Sequence, residues 1–232
     1  MAGRVVILGA PGAGKGTQAR RMAKIHGWPH ISTGDIFRSH VEHKTAIGQK
    51  IESFMRSGQL VPDTLACQIV VERLAEPDCA RGYILDGFPR SVPQALALDR
   101  MLSDRHEALD TVVLLTIDDE ELIERLTARR TCPHCGKIYN LTFNPPKTAG
   151  QCDKPECDGA LLVHRDDDQE DTVRRRLKVY HETTEPLIQH YVKRGLLQRV
   201  DGGVSPDSIA ATIERMLREQ GEIGRASCRE RV

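Results

Sequence analysis

With 232 residues, 33 Lys plus Arg and 33 Asp plus Glu, the chain is long enough for one sizeable core with inserted modules. It is too short for two independent domains of average size. The charge balance lacks the positive excess that duplex nucleic acid or an anionic membrane calls for, so anion binding must come from local clusters. The apolar start, Met1 to Gly9, is far shorter than a signal-peptide core or a spanning helix, and a cytoplasmic, soluble chain is expected.

Val5 to Leu8 is a short apolar, β-branched run of the kind a strand buried on both faces requires, and a Gly-rich turn leads from it into an amphipathic stretch from Lys15 to His26. Ser32-Thr33-Gly34-Asp35 opens two short helical patterns that close near Gly58. Helical patterns then cover residues 63–76, 91–104, 119–130 and 169–194, and apolar runs recur at Tyr83–Leu85, Thr111–Ile117 and Leu196–Val200. Ser205-Pro206 opens a last helix to about residue 220, with Ile209, Ile213, Met216 and Leu217 as its apolar stripe. Strands alternating with helices predict an α/β fold, a doubly wound parallel sheet of about five strands. The core comprises residues 1–31, 62–130 and 166–221; residues 32–61 form one insert, and residues 131–165, rich in Pro, Gly, Asn and Cys, form a second.

Gly9-Ala-Pro-Gly12-Ala13-Gly14-Lys15-Gly16-Thr17 contains the spacing G-x-x-x-x-G-K, followed by Gly and then Thr. Glycines let a backbone wrap a phosphate and aim its N–H groups inward, while the helix beginning at Lys15 adds the positive end of its dipole. Lys15 then reaches the β- and γ-phosphates of a nucleoside triphosphate, and the Thr17 hydroxyl suits Mg2+. Strand and helix flank the motif as this chemistry requires, so it reads as a P-loop.

Cys132-Pro-His-Cys135 and Cys152-Asp-Lys-Pro-Glu-Cys157 bring four of seven cysteines into one short segment. In a reducing cytosol paired knuckles favour metal over disulfides, and four thiolates can surround a structural Zn2+ with no open coordination position. The second pair has a four-residue gap, and His134 is available should one thiolate sit poorly. Cys67 and Cys79 read as ordinary thiols.

The form of the phosphate loop resembles that of adenylate kinases. The resemblance continues through Ser32-Thr-Gly-Asp-Ile-Phe-Arg38, Gly58-Gln-Leu-Val-Pro-Asp63, Leu85-Asp-Gly-Phe-Pro-Arg90 with Gln94, Arg125 with Ala128-Arg-Arg130, Tyr139-Asn with Phe143-Asn-Pro-Pro146, and Arg165-Asp-Asp-Asp-Gln-Glu to Arg174-Arg-Arg176. It implies reversible transfer of the γ-phosphoryl of Mg-ATP to AMP, giving two ADP, by a monomer that binds neither nucleic acid nor membrane. Thr33, Arg38, the backbone of Gln59, Leu60 and Val61, then Gly87, Phe88, Pro89, Arg90, Gln94, Arg165 and Arg176 would hold AMP. Gly12 to Thr17, Arg125, Arg129, Ile138, Tyr139 and Arg199 would hold ATP. The catalytic set would be Lys15, Arg90, Arg129, Arg165 and Arg176, with Asp86 on a Mg2+-bound water and the four-cysteine segment as a lid. In the run Arg174 to Arg176 the three side chains point in different directions on a helix, and the match selects Arg176. Lids of this family usually have a two-residue gap in the second cysteine pair, a departure here. Two rivals stand beside this reading. A zinc-ribbon nucleic-acid module predicts a basic domain, which the charge balance opposes; a related kinase for UMP, CMP or GMP differs only in the base pocket.

The tail from Glu222 to Val232 has neither apolar period nor cap. Its back-translation resembles a common short-read sequencing adapter, so residues 222–232 are expected to be a non-native read-through. On that reading Ile223 to Val232 pack against nothing, and a chain ending at Gly221 keeps its activity and melting temperature.

Overall fold

The computed structural model describes residues 3–229, with side chains as far as Glu219. Its centre is a five-stranded parallel sheet in the order β2-β3-β1-β4-β7. These strands are β1 (Gly3–Gly9), β2 (His30–Ser32), β3 (Gly82–Asp86), β4 (Thr111–Thr116) and β7 (Leu197–Asp201). β1 lies between β3, with Val6 opposite Leu85, and β4, with Ile7 opposite Val113. Successive β1 side chains point to opposite faces, so Val6 and Leu8 join one core and Val5 and Ile7 the other.

The first core is covered by α4 (Asp63–Leu74), α5 (Val92–Asp104) and α8 (Pro186–Lys193), through Ile69, Leu98 and Leu187. The second is covered by α1 (Lys15–His26), α6 (Asp119–Thr127), α7 (Glu170–Val179) and α9 (Pro206–Arg229), through Met22, Leu126, Val173 and Ile213. Ile209, Met216 and Leu217 pack there too, as the period of the last helix requires. With two apolar faces to bury, the sheet needs helices on both sides.

The first insert is α2 (Thr33–Glu42) and α3 (Ala46–Ser57), opened by Ser32 Oγ accepting from Asp35 N and by Thr45 Oγ1 accepting from Gly48 N. The second is built on the antiparallel pair β5 (Arg129–Thr131) and β6 (Ile138–Asn140). Its core is Cys132, Tyr139, Cys152 and Cys157, with Ala160 and Leu162 packed alongside.

Four features differ from the sequence reading. β2 is a three-residue edge strand, too short for an apolar run to announce it. The helix expected over 119–130 stops at Thr127, because Arg129 to Thr131 pair with Ile138 to Asn140. The pattern over 169–194 breaks into α7, a widened turn at Tyr180–Thr184, and α8. The terminal helix runs on to Arg229, past Gly221; the packing of Ile223 to Val232 lies outside the described side chains.

Candidate active site

The phosphate loop leaves β1 at its carboxyl end, between strands whose connections depart in opposite directions, where open α/β sheets take their ligands. Gly9, with φ of 144°, carries the chain away from β1; a Cβ there would lie 2.7 Å from Leu115 O. The loop closes on α1, where Lys15 Nζ donates to the carbonyls of Gly9 and Ala10, each at 2.8 Å. Burial lowers the Lys15 ammonium from its ordinary 10.5 to about 7; Asp86 opposes the shift, and the charges of Arg90, Arg176 and Arg129 add to it.

β3 ends in Asp86, beside the loop: a Cβ on Gly16 would lie 3.2 Å from Asp86 Oδ2. Burial would raise this carboxyl, but His30, whose Nε2 lies 3.2 Å from Oδ2, and Lys15 hold it below its ordinary value. The chain then turns at Gly87, with φ of 80°, where a Cβ would stand 2.9 Å from both Arg90 Nη2 and Thr33 Oγ1, so a side chain is excluded by space and by conformation.

Arg90 follows. Its Nε donates to Gly87 O at 2.7 Å, and its backbone N–H donates to Gln94 Oε1 at 2.7 Å. Gln94 Nε2 donates to Asp63 Oδ1 at 2.7 Å, and Ser91 Oγ donates to Asp63 Oδ2 at 2.9 Å. A donor on one side and a carboxylate on the other fix which way the Gln94 amide faces, leaving one lone pair and one N–H uncommitted. Thr33 Oγ1 donates to Gly87 O at 2.8 Å. Burial and the neighbouring Arg176 lower the Arg90 guanidinium to about 10.

One cleft is lined by Lys15, Thr33, Arg38, Gln59 to Val61, Gly87, Pro89, Arg90, Gln94 and Arg176. The structure thus gathers most residues assigned to AMP beside the phosphate-loop lysine. Phe88 is turned into the core and is 2 % exposed.

The remaining arginines are held by acids at the foot of the second insert. Arg129 forks onto Asp168, Nε to Oδ2 at 2.7 Å and Nη2 to Oδ1 at 2.5 Å, and Asp168 is fully buried. Arg176 Nη1 lies 3.0 Å from Asp167 Oδ2, donates to Asp167 O at 2.7 Å and reaches Asp168 at 3.4 Å. Burial would lift the Asp167 carboxyl, yet Arg176 and Arg129 keep it low. Arg165 Nε donates to Thr131 Oγ1 at 3.0 Å, and burial and Arg38 lower its guanidinium to about 10. Arg38 pairs with Asp35. Arg174 pairs with Glu170 in solvent and Arg175 caps Ser57 O, so Arg176 alone of the three faces the cleft.

Other assignments fall further out. Arg125 donates to Gly202 O at 3.1 Å and pairs with Glu121, and Arg199 is exposed on β7. Ile138 is half-buried on β6, and the Tyr139 ring is turned into the insert, where its hydroxyl donates to Cys152 Sγ at 3.4 Å and accepts from Asp153 N at 2.7 Å. Tyr139 can therefore offer a nucleotide its backbone only.

The Sγ atoms of Cys132, Cys135, Cys152 and Cys157 all lie within 4.8 Å of one another. Two knuckles bring them together. Gly136 N donates to Cys132 O in the first, and Ala160 N to Cys157 O in the second. A short helical turn at Pro155–Cys157 takes up the two extra residues of the longer gap. His134 stands exposed, outside the cluster.

Sequence reasoning missed His30, Asp63, Asp167, Asp168 and Thr184. All three Asp residues sit in the motifs given above, and Asp167 and Asp168 stand beside arginines, where a dense arginine site needs counter-charges; His30 and Thr184, like Asp63 in its bonds, meet their partners only in three dimensions.

A family model described as adenylate kinase matches residues 7–196. The chain belongs to the adenylate kinase family. It is 48 % identical over 214 residues to an adenylate kinase of Lachnospira eligens, covering 92 % of this chain and 99 % of that one. An adenylate kinase of Thermotoga maritima is 50 % identical over 214 residues, 92 % of this chain and 96 % of that one. One of Archaeoglobus fulgidus is 48 % identical over 213 residues, 92 % and 97 % respectively. Membership makes the chain an enzyme, a nucleoside monophosphate kinase with adenylate kinase activity whose substrates are ATP, AMP and ADP. Among the described residues no helix is long and apolar enough to cross a membrane.

Proposed function

We propose that the γ-phosphoryl passes from ATP to AMP in one direct, in-line step. The observation that carries this reading is the meeting of Lys15, Arg90 and Arg176 in one cleft that also holds the AMP-side residues. Phosphoryl transfer has a loose transition state whose charge spreads over equatorial oxygens, so positioned cations, not a covalent partner, do most of the catalysis. Among the described residues lining the cleft there is no His or Cys, and its one carboxylate, Asp167, is tied to Arg176. Asp86, beside the loop, is engaged by His30, so neither carboxylate stands unpaired to accept the phosphoryl group.

Arg90 and Arg176 take the AMP phosphate, with Arg38 joining them. Lys15, Arg129 and Arg165 face the transferring group, Arg165 touching both nucleotides. Gln94 reads the base: its uncommitted lone pair and N–H match adenine's donor–acceptor edge. The P-loop backbone from Gly12 to Thr17 takes the ATP phosphates, with Arg125, Ile138, Tyr139 and Arg199 toward the nucleoside.

Thr17 and Asp86 would hold Mg2+; the donor set fits, a hydroxyl and a carboxylate kept ionised beside the loop. Mg2+, when bound there, would supply positive charge to the phosphate oxygens. The four cysteines suit Zn2+. Tetrahedral Zn–S bonds of about 2.3 Å set sulfurs about 3.8 Å apart, and Cys135 and Cys152 stand at 3.7 Å. Four thiolates leave no open position, so the metal is structural. We read the enzyme as a cytoplasmic monomer that binds neither nucleic acid nor membrane.

Initial rates with AMP, GMP, CMP and UMP at fixed Mg-ATP test the base reading. AMP is expected to exceed the others by at least about a hundredfold in kcat/KM, since a polar edge left unpaired in a buried pocket is costly. Comparable rates with GMP would remove Gln94 from its role.

A further inference from the structure

The helical segment that carries Arg176 is interrupted for a physical reason. Pro186 has no N–H, so it cannot bond the carbonyl four residues back, and the turn widens: Glu185 N–H donates to Tyr180 O, five residues behind it, at 2.9 Å. The widening changes which way Thr184 faces. In a regular α-helix a residue eight positions on is rotated by about 80°, whereas one residue absorbed in a wider turn brings it back to within about 20°. Thr184 therefore shares the face of Arg176, is only 7 % exposed, and lines the same cleft.

Its hydroxyl donates to the Arg90 carbonyl at 2.8 Å. A threonine hydroxyl has one proton, and this bond uses it. The Arg90 main chain is thereby gripped from both ends, its N–H by Gln94 on α5 and its carbonyl by Thr184 on the Arg176 segment.

We propose that Thr184 is a positioning residue for the AMP phosphate: through the Arg90 main chain it sets Arg90 in register with Arg176, so that the two cations form one clamp. This rests on the reading of Arg90 as a phosphate ligand, and it assigns the widened turn a purpose. A hydroxyl removed from a buried carbonyl leaves that carbonyl unpaired, and the loop relaxes to satisfy it.

Steady-state kinetics with AMP varied and then ATP varied, on Thr184→Val, Thr184→Ser and Arg90→Ala, decide the matter. Thr184→Val, of the same shape, is expected to raise the KM for AMP about tenfold while the KM for ATP stays within about twofold; Thr184→Ser restores the AMP value. A purely structural role would lower the melting temperature without splitting the two constants, and that result overturns the proposal. So does a Thr184→Val enzyme with an unchanged KM for AMP when Arg90→Ala raises it. If Arg90→Ala leaves the KM for AMP unchanged, the underlying reading of Arg90 falls instead, and Thr184 with it. Should Thr184→Val fail to fold, Thr184→Cys, a weaker donor of similar volume, carries the same expectations.

Discussion

On the proposed mechanism Lys15 carries the chemistry, and its environment makes two predictions. Lys15→Ala should keep the fold while lowering kcat about a hundredfold or more, because a preorganised charge is lost where phosphate oxygens gain charge; an enzyme that keeps a tenth of normal turnover contradicts the role. The second concerns protons. Burial places the Lys15 value near 7 in the free enzyme, below its ordinary 10.5. The penalty this imposes on the fold is therefore largest below about pH 7 and fades as pH rises toward 10.5. ATP phosphates stabilise the ammonium, so binding at pH 8 should take up about one proton, and affinity should fall as pH rises above 7. Calorimetry in two buffers of different ionisation heat measures that uptake, and its absence would contradict a Lys15 ammonium that is deprotonated in the free enzyme and recharged by ATP. Lys15, Arg90 and Arg176 were legible from the sequence because each sits at a fixed offset within a motif. His30, Asp63 and Thr184 were not, because their partners lie 56, 31 and 94 positions away.

At the scale of elements, the second insert buries little apolar surface: Ala160 and Leu162 are the aliphatic residues packed on its cysteine core, while Leu141, Phe143, Leu161 and Val163 stand exposed. Metal ligation would then supply its folding free energy. The protein should carry one equivalent of zinc, and Cys152→Ser should lower the melting temperature more than it lowers turnover at low temperature. Elemental analysis that finds no metal in protein purified without chelator would contradict this. The spacing of the cysteines made the cluster legible, but not the turn at Pro155–Cys157 that absorbs the longer gap. The same limit explains two other misses. Periodicity ran the helix over 119–130 too far, because strand pairing at Arg129 is a contact with residues not yet met in the chain. It also joined α7 to α8, because their apolar residues keep helical spacing along the chain although Val173 and Leu177 pack on the second core and Leu187 and Tyr191 on the first, a change that only Pro186 betrays.

At the scale of the whole molecule, the parallel sheet and its two helical faces were readable from the alternation of apolar runs and helical patterns. That alternation places the loops after β1 and β3 at one edge of the sheet. What it could not give was the pairing in and beside the cleft: Arg176 with Asp167 and Arg90 with Gln94 and Thr184 within it, and Arg129 with Asp168 at the foot of the second insert. On the proposed mechanism these pairs hold cations in place for the phosphates, since preorganised charge is worth most where reorganisation is least. Direct transfer requires both nucleotides bound together, with the phosphoryl group moving once between them. ATP made chiral at its γ-phosphorus with oxygen isotopes tests this most directly. A single in-line transfer to AMP predicts inverted configuration at the transferred phosphorus of the ADP product; retention would mean two displacements through a phosphorylated enzyme and would contradict it.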